Sequence, residues 1–374
     1  MSQHRISVCP VVPGRNDATS WYRGLGPLFT LNSQVDWLDI VFMRDFDWTA
    51  MKLIDVLFMQ RPASTDEQTI AKLARQHGRA LWVDYDDDLT AVPMENFSCY
   101  GLYMNDAVQG AIRNIIRLAS VVSVTTPYLR DRLANEAGVD PRKFIVIPNA
   151  IDDTLPDANA RTVRVQDEKK PRLLFWRGSV THHRDLFEEH AALIAASERL
   201  ADKPDWKMAF MGYSPWHIAE HWNKRRVEHV PASADAPKLN GPIMYKDTGI
   251  AEFYQVIKQE RIRAFLFPLH DNHLNRAKSN NAWIEAAYAG AVTIAPNWPE
   301  WQKPGVITYG PGPTAHWPTF QKAVGEVMEV TDQQASAWAY AGWAYVYDHL
   351  RLSRVNKLRA DLLKNLQDGG RFRL

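Results

Sequence analysis

Short apolar runs alternate with longer amphipathic stretches along the whole chain. Runs that are apolar almost throughout predict strands buried on both faces, whereas apolar positions three and four residues apart predict helices. The predicted strands span residues 6–12, 37–43, 56–60, 80–86, 121–125, 144–149, 173–178, 206–212, 264–269, 291–296 and 305–310. The predicted helices span residues 66–77, 105–118, 127–136, 185–200, 250–260, 280–289 and 335–366, and the stretch 213–247 is expected to be irregular. Buried strands that alternate with helices indicate an α/β protein with parallel sheets covered by helices on both faces.

A polar, turn-rich segment divides these elements into two series. Residues 151–170 (IDDTLPDANARTVRVQDEKK) have the composition of a linker. We therefore predict two doubly wound, Rossmann-like domains, at 1–155 and 170–335, and a C-terminal helix within 336–374 that packs back on the first domain. Ligands bind such sheets at the carboxyl ends of the strands, so the cleft between the two domains is the expected site.

Composition and charge constrain the picture only loosely. The 374 residues are 46% hydrophobic and 23% charged, which is typical of a soluble globular protein large enough for two domains. A formal net charge of +1 gives no general attraction for nucleic acid. Two cysteines are too few for a disulfide framework, and no apolar stretch approaches the roughly 20 residues of a membrane-spanning helix. Residues 1–12 predict a first strand rather than a signal peptide, so we expect a cytoplasmic protein.

The first candidate site follows the predicted strand at 173–178, in the stretch WRGSVTHHRDL. A strand, a glycine turn and a helix start present free backbone N–H groups to an anion, and arginine adds a planar fork for phosphate oxygens. The candidate donor-binding residues are Arg177, Gly178, Ser179 and Arg184, and His182 beside them is a candidate catalytic residue. The alternative is an ordinary strand-to-helix loop in which Asp185 is the N-cap.

The second candidate site is PLHDNHLNRAKSNNAWIE, residues 268–285. Lys278 and Ser279 stand at a predicted helix N-terminus, where the helix dipole favours a diphosphate. Glu285 lies on a helix that is apolar nearly all round, so its carboxylate must reach the cleft or find a partner. The paired hydroxyls of a ribose are natural partners for it. Asn275 is a candidate for hydrogen bonds to sugar hydroxyls.

In this order and on this architecture, the two stretches resemble the donor domain of retaining glycosyltransferases with two Rossmann-like domains (the GT-B type), especially the family 4 group. That group has an E-x7-E motif followed by a glycine and an apolar strand, and EAAYAGAVTIA (285–295) resembles its second half. The resemblance implies that Glu285 holds the donor ribose and that Arg184 stands where the family has a diphosphate-binding lysine. The first glutamate would fall at Ala277, which leaves the sugar open. A looser subgroup from polysaccharide clusters and phage genomes, with GS-x-x-H and N-x-x-KS stretches, is more similar.

The turn after the first strand carries a further candidate. In PGRNDATSWYRGLGPL (13–28), Gly14 and Arg15 lie on that turn, and Tyr22 and Arg23 are predicted to begin a helix. In enzymes of the type resembled, this loop faces the donor diphosphate across the cleft. The alternative is a plain helix start. Because the spacing is not G-x-G-x-x-G, a nicotinamide site is poorly supported.

Four carboxylates follow one another in VDYDDDL, at the end of the predicted strand 80–86: Asp84, Asp86, Asp87 and Asp88. A dense cluster of like charges costs stability without a partner. We therefore predict that Asp87 or Asp88 orients or deprotonates an acceptor hydroxyl. A metal-binding D-x-D motif and a solvated loop are the alternatives, and no metal is expected because two-domain enzymes of this type rarely need one.

The predicted function is transfer of a sugar from a nucleoside diphosphate sugar, such as a UDP-sugar, to an acceptor hydroxyl; the resemblance implies retention of configuration. Arg184 and Lys278 would stabilise the charge that develops on the leaving diphosphate. Tyr213 would flank the nucleobase or pack within its own loop. Expected acceptors are a saccharide, a glycoconjugate or a hydroxymethylated pyrimidine in phage DNA. A sugar-nucleotide epimerase and a non-catalytic nucleotide-sugar-binding module remain the alternatives.

Overall fold

Two six-stranded parallel sheets organise the chain. The computed structural model describes residues 5–14, 18–162, 166–182, 185, 200, 203–212, 243–245, 249–310 and 316–367. In the described part, the strand orders are β2-β1-β3-β4-β5-β6 and β12-β11-β10-β7-β8-β9, and the pairings are parallel. The predicted α/β class with two doubly wound sheets is confirmed.

The bounds of the elements follow chain order within each half. The first sheet contains β1 (Ile6–Val11), β2 (Leu38–Ile40), β3 (Val56–Gln60), β4 (Ala80–Tyr85), β5 (Val121–Val124) and β6 (Phe144–Val146). The second contains β7 (Arg172–Gly178), β8 (Trp206–Gly212), β9 (Ile243–Tyr245), β10 (Ile262–Leu266), β11 (Val292–Pro296) and β12 (Val306–Tyr309). The helices of the first half are α1 (Ala18–Arg23), α2 (Leu25–Gln34), α3 (Thr65–Gln76), α4 (Phe97–Tyr103), α5 (Asp106–Leu118) and α6 (Pro127–Ala137). Those after it are α7 (Ile250–Gln259), α8 (His273–Ala277), α9 (Asn281–Ala289), α10 (His316–Glu329), α11 (Asp332–His349) and α12 (Leu352–Gln367).

Local capping chemistry sets several helix ends. Helix α3 begins with a capping box in which Ser64 and Glu67 satisfy each other's backbone N–H groups. Helix α6 begins at Pro127, with the Thr126 hydroxyl accepting from the N–H of Leu129 at 3.1 Å. Helix α9 ends at Gly290, whose φ of 73° lies in the left-handed region that favours glycine. These ends therefore follow from the sequence alone.

The long helical pattern at 335–366 is in fact two helices, α11 and α12. The chain breaks between them because it meets the first half there: the N–H of Leu352 donates to the carbonyl of Ile151 at 2.8 Å, and Ile151 forms a bridge with Arg351. A single continuous helix could not supply these backbone groups, whose hydrogen bonds would be internal. The prediction of one helix was wrong at this point.

Of three other predictions, two differ from the structure and one lies almost wholly outside the described residues. The stretch 213–247, expected to be irregular, contains β9. Tyr22 and Arg23 end α1 rather than beginning a helix, since a new helix starts after Gly24. The predicted helix at 185–200 lies outside the described residues, apart from its two terminal positions.

Helix α12 packs with the first sheet although it follows the second in the chain. It contacts α2 and β3, and the side-chain amide of Asn356 donates to the carbonyl of Pro27 at 3.0 Å. Leu362 and Leu363 are buried in the apolar cluster that also holds Leu28. The predicted return of the C-terminal helix is confirmed, while the domain limits at 155, 170 and 335 stay predictions. Among the described helices, none has the length and apolar character needed to cross a membrane.

Helix α11 packs against α9 through a close backbone approach. The side-chain N–H of Trp283 on α9 donates to the carbonyl of Pro304 at 2.8 Å. Gly305 follows with a φ of +76°, and a Cβ there would lie 2.8 Å from the carbonyl oxygen of Trp338 on α11. Gly342 sits at the same contact, where its own Cβ would lie 3.1 Å from the carbonyl oxygen of Pro304. The absence of side chains at both glycines therefore holds α9 in place.

Gly305→Ala should lower the free energy of unfolding by roughly 3 kcal/mol, because left-handed backbone costs alanine about 1–2 kcal/mol and steric overlap adds a similar amount. Gly78→Ala is the matched control: its φ is +68°, but nothing lies within 4 Å of an added Cβ. It should cost only about 1 kcal/mol. Urea denaturation measures both values, and equal losses would contradict the role given to the α9–α11 contact.

Candidate functional site

The two stretches singled out in the second half meet at the point where its strand order reverses. Strand β7 lies between β8 and β10, so the chain runs outward on one side from β7 to β9 and on the other from β10 to β12. Crevices that bind ligands form at the carboxyl ends of strands at such a switch point. Arg177 and Gly178 end β7, and residues 267–280 follow β10. The topology thus brings the two candidate stretches together.

Glu285 lies at this point in a buried ion pair. Its carboxylate accepts from Arg177 through both oxygens, at 2.5 and 2.6 Å, and is only 1% exposed. The hydroxyl of Tyr22, from the first half, donates to the same carboxylate at 2.8 Å. That hydroxyl also lies 2.5 Å from the hydroxyl of Tyr254 on α7. Glu285 therefore has found protein partners from both halves.

The protonation states in this cluster follow from burial and from the ion pair. Burial alone would lower the pKa of Arg177, but Glu285 raises it above its ordinary value, so the guanidinium is charged. Burial raises the pKa values of Tyr22 and Tyr254 well above 10, and the neighbouring Glu285 carboxylate raises them further. Both phenols therefore act as neutral hydrogen-bond donors or acceptors.

His182 lies in a second hydrogen-bonded group at the same edge. Its Nδ1 is 2.7 Å from one oxygen of Asp185. The other oxygen of Asp185 accepts from the backbone N–H of His270 and from the side-chain amide of Asn275. Asp185 is only 3% exposed and Asn275 is buried. Asn275 also donates to the carbonyl of His270, so its amide orients this loop.

The charge state of His182 is set by burial and by a lysine. Burial lowers its pKa below the ordinary 6.5, Lys278 lowers it further, and Asp185 partly opposes both. The imidazole is therefore neutral at pH 7. Because Nδ1 faces a carboxylate, it carries the proton, and the lone pair is on Nε2. Gly178 is needed beside this ring, since a Cβ there would lie 2.6 Å from the Trp176 ring and 3.2 Å from the His182 ring.

The four carboxylates of VDYDDDL are divided among three arginines. Asp84 is buried and receives two hydrogen bonds from Arg23, at 3.1 and 2.6 Å. Asp88 is wholly buried; its oxygens accept from Arg132 and from Thr90. Both side chains therefore stabilise the fold, and Asp88 does not face the cleft as an acceptor-binding group would. This geometry removes the physical basis of the role predicted for Asp88.

Asp86 and Asp87 face a single residue, Arg61, at 3.1 and 2.9 Å. Arg61 follows β3 with a φ of 52°, a conformation that costs a non-glycine residue free energy and is concentrated at functional sites. Burial raises the pKa of Asp86 to about 6. Burial would also raise that of Asp87, but Lys278, Arg61 and His182 together lower it. Two adjacent carboxylates with pKa values driven apart are typical of acid–base sites.

Lys278 connects the two halves electrostatically. Its ammonium lies 3.9 Å from Asp87, and its side chain is 15% exposed. Ser279 accepts from the side-chain amide of Asn149, at the end of the first half, at 2.7 Å. Tyr128 meets His273 at 2.6 Å along the same boundary. Lys278 itself follows the short helix α8, and α9 begins three residues later.

The remaining predicted residues fall into two groups. Ser179 is exposed, with its hydroxyl 2.6 Å from that of Thr181, and Gly14 follows β1 at the carboxyl edge of the first sheet. Arg15, Arg184 and Tyr213 lie outside the described residues. Within the described residues, no group of three His, Cys, Asp or Glu side chains is arranged to hold a metal ion.

Several residues of the site escaped the sequence analysis. Asp185 entered only as an N-cap, and Arg61, Tyr254 and Asn149 did not enter at all. Arg61 directly follows β3, and Asn149 ends the apolar run that includes β6, and these positions were the usable signal for them. Tyr254 lies on a regular amphipathic helix, where nothing in the sequence distinguishes it from a core residue.

Comparison with known proteins defines the fold. Neither a protein-family model nor a curated protein sequence matches the chain. Among solved structures, HepE of Anabaena in complex with UDP and glucose is similar with a TM-score of 0.61 at 13% identity, covering 97% of this chain and 100% of HepE. Sucrose-phosphate synthase from Thermosynechococcus elongatus gives 0.60 at 12%, covering 98% and 100%. A Listeria monocytogenes chain assigned as a UDP-N-acetylglucosamine 2-epimerase gives 0.57 at 11%, covering 99% and 100%.

The chain has the GT-B fold. The similarity covers both sheets of each relative, so the two-sheet architecture is shared as a whole. Identities of 11–13% carry the fold and nothing of the chemistry. The function must therefore be argued from the side chains at the cleft.

The pKa of His182 should lie below 6.5, and two substitutions should move it in opposite directions. Lys278→Gln should raise it, because a nearby positive charge disfavours the imidazolium. Asp185→Asn should lower it, because the carboxylate that favours the imidazolium is removed while the shape is kept. NMR titration of the imidazole protons measures all three values. A shift of the same sign in both variants would contradict the assigned geometry.

Proposed function

We propose that the protein is a glycosyltransferase that moves a sugar from a nucleoside diphosphate sugar to an acceptor hydroxyl. The observation that carries the proposal is that Lys278 and His182, at the switch point of the second sheet of a GT-B fold, converge with Asp87 of the first half. This set combines a cation for a diphosphate, a neutral base and an ionised carboxylate. Complexes of HepE with UDP and with UDP-glucose support a UDP-sugar as the donor.

The diphosphate of the donor binds at Lys278 in this proposal. Breaking the glycosidic bond leaves negative charge on the diphosphate, and a fixed cation in a largely buried cleft stabilises that charge. Lys278 is 3.9 Å from Asp87, too far for a direct hydrogen bond, so its ammonium keeps donors for phosphate oxygens. Arg184, outside the described residues, would add a second cation from the loop after β7.

The ribose of the donor binds at Glu285. Three hydrogen bonds already reach this carboxylate, from Arg177 and Tyr22, and a carboxylate has about four acceptor positions. One acceptor position is therefore left for a ribose hydroxyl, and because Glu285 is only 1% exposed, binding requires Arg177 or Tyr22 to move. Because Tyr22 belongs to the first half, such a movement couples donor binding to the relative position of the two halves.

The acceptor hydroxyl approaches from the side of the first sheet, at Asp86 and Asp87. Asp87 is ionised and orients the hydroxyl as a hydrogen-bond acceptor, while the pKa of about 6 makes Asp86 the better proton acceptor of the pair. This extends the predicted role from Asp87 to its neighbour. The proposed acceptor is a saccharide or glycoconjugate, and retention of configuration rests on the family resemblance.

Two alternative functions, a sugar-nucleotide epimerase and a transferase that acts on hydroxymethylated DNA, would give different results in activity and binding assays. An epimerase converts the donor without an acceptor, so product formation from a UDP-sugar alone would replace the transferase proposal. Binding to modified DNA would weaken steeply with salt, since each neutralised phosphate releases counterions. A chain that binds UDP-sugars without either reaction would be a binding module.

Lys278→Gln should weaken UDP binding about tenfold or more, because a charge-assisted contact to the diphosphate is lost. The matched control is Lys72→Gln, which removes an exposed lysine of α3 remote from the cleft and should bind UDP like the wild type. Calorimetric titration measures the affinities, and transfer from a panel of UDP-sugars to free saccharides measures activity. Failure of every nucleoside diphosphate to bind would remove the donor site.

Glu285→Gln should weaken UDP binding several-fold more than pyrophosphate binding, because only UDP carries the ribose. The ratio of the two affinities within one variant corrects for any general destabilisation that follows from leaving Arg177 unpaired. Tyr22→Phe is the second variant: it removes one hydrogen bond to the carboxylate but leaves its charge. Equal weakening of both ligands in Glu285→Gln would show that Glu285 supports the fold without touching ribose.

A further inference from the structure

A second polar cavity lies at the opposite edge of the second sheet. It has a volume of about 340 Å³ and sits where β7, β8 and β10 begin, whereas the candidate site lies where these strands end. Its walls include Arg172 on β7, Trp206 on β8, Arg263 on β10 and Asp332 at the start of α11. The volume is at the lower end of the range for small-molecule sites, which is about 300–1,000 Å³.

Positive charge is in excess at this cavity. Arg172, Arg261 and Arg263 all contact the single carboxylate of Asp332, at distances of 2.8 to 3.2 Å. Lys203 also lines the cavity, is exposed, and has no recorded ion-pair partner among the described residues. The opposing charges that line it are Asp332 and Asp205, the latter paired with Arg172. Three lining cations, Arg172, Arg263 and Lys203, therefore face two carboxylates, and Arg261 adds positive charge through its contact with Asp332.

The guanidinium groups are fixed and keep hydrogen-bond donors. Arg263 has a side chain only 9% exposed and donates to the carbonyls of Val327 and Val330 as well as to Asp332. Arg172 donates to Asp332 through two nitrogens and to Asp205 through the third. A guanidinium has five N–H groups, so each arginine keeps two without a recorded partner in the described structure. The Trp206 ring lies 5.8 Å from one guanidinium and 6.0 Å from the other.

We propose that this cavity binds a phosphate group, supplied by inorganic phosphate or by a small phosphomonoester. A tetrahedral phosphate anion matches the net positive charge of the lining side chains and accepts from several donors held in a fixed orientation. Packing three guanidinium groups around one carboxylate costs free energy through their mutual repulsion, and a bound anion relieves it. The site is independent of the donor site proposed above, since it lies at the other end of the same strands.

The test is calorimetric titration with inorganic phosphate and with glycerol 3-phosphate at constant ionic strength set by chloride. Arg172→Gln and Lys203→Gln should each weaken phosphate binding about tenfold, whereas Asp205→Asn should strengthen it because Arg172 loses a competing carboxylate. Lys203 is exposed, so its substitution leaves the fold intact even if Arg172→Gln unfolds the chain.

Lys278→Gln separates this cavity from the cleft. Phosphate binding that survives Lys278→Gln and weakens in Lys203→Gln supports the proposal, and tighter binding of glycerol 3-phosphate than of phosphate identifies the ester as the ligand class. Phosphate binding that is lost in Lys278→Gln and unchanged in Lys203→Gln would place the anion in the cleft and overturn the proposal. Absence of phosphate binding to the wild type would also overturn it, without bearing on UDP binding.

Discussion

The ion pair between Arg177 and Glu285 holds the candidate site together. It joins the end of β7 to the middle of α9, and the hydrogen bond from Tyr22 extends it to the first half of the chain. A bidentate pair at this depth is worth little against an apolar replacement, but losing one partner leaves an uncompensated buried charge. The pair therefore acts on position rather than on net stability. It fixes the distance between β7 and α9, which carry proposed ligand-binding groups, and the hydrogen bond from Tyr22 makes that distance depend on the first half.

Most charged side chains around this ion pair have a partner of opposite charge within the described part of the cleft. Arg23, Arg61 and Arg132 pair with the four clustered carboxylates of the first half, each in a different setting. What remains is the contact between Asp87 and Lys278 across the boundary, at 3.9 Å. An anion that enters at Lys278 competes with Asp87 for the same cation and so changes the balance between the halves. If the donor binds at Lys278 as proposed, its binding and the relative position of the halves are linked through one weak ion pair.

Sequence reasoning succeeded where a signal was local. Near-continuous apolar runs predicted the strands of both sheets. The two candidate stretches converged because both follow strands at the switch point, which is a topological consequence of strand order. It failed where the outcome depended on a distant partner. No sequence signal near Glu285 predicts that Arg177 and Tyr22 will be its hydrogen-bond partners.

The same limit explains the aspartate cluster. Four aspartates within five residues look alike in the sequence, and the role of each depends on which arginine it contacts after folding. Two of them became interior ion pairs, and two kept a place at the cleft. The break between α11 and α12 has a similar origin, since the periodicity of 335–366 is continuous and only the contact with Ile151 interrupts it.

The position of α12 has a consequence for biosynthesis. Asn356 contacts Pro27 across 329 positions of the chain, and Leu362 and Leu363 complete the apolar layer that contains Leu28. The first sheet emerges from the ribosome long before α12, the helix that covers it, is synthesised. Until then, the nascent first half exposes the apolar surface that α12 covers, so this layer closes late in folding.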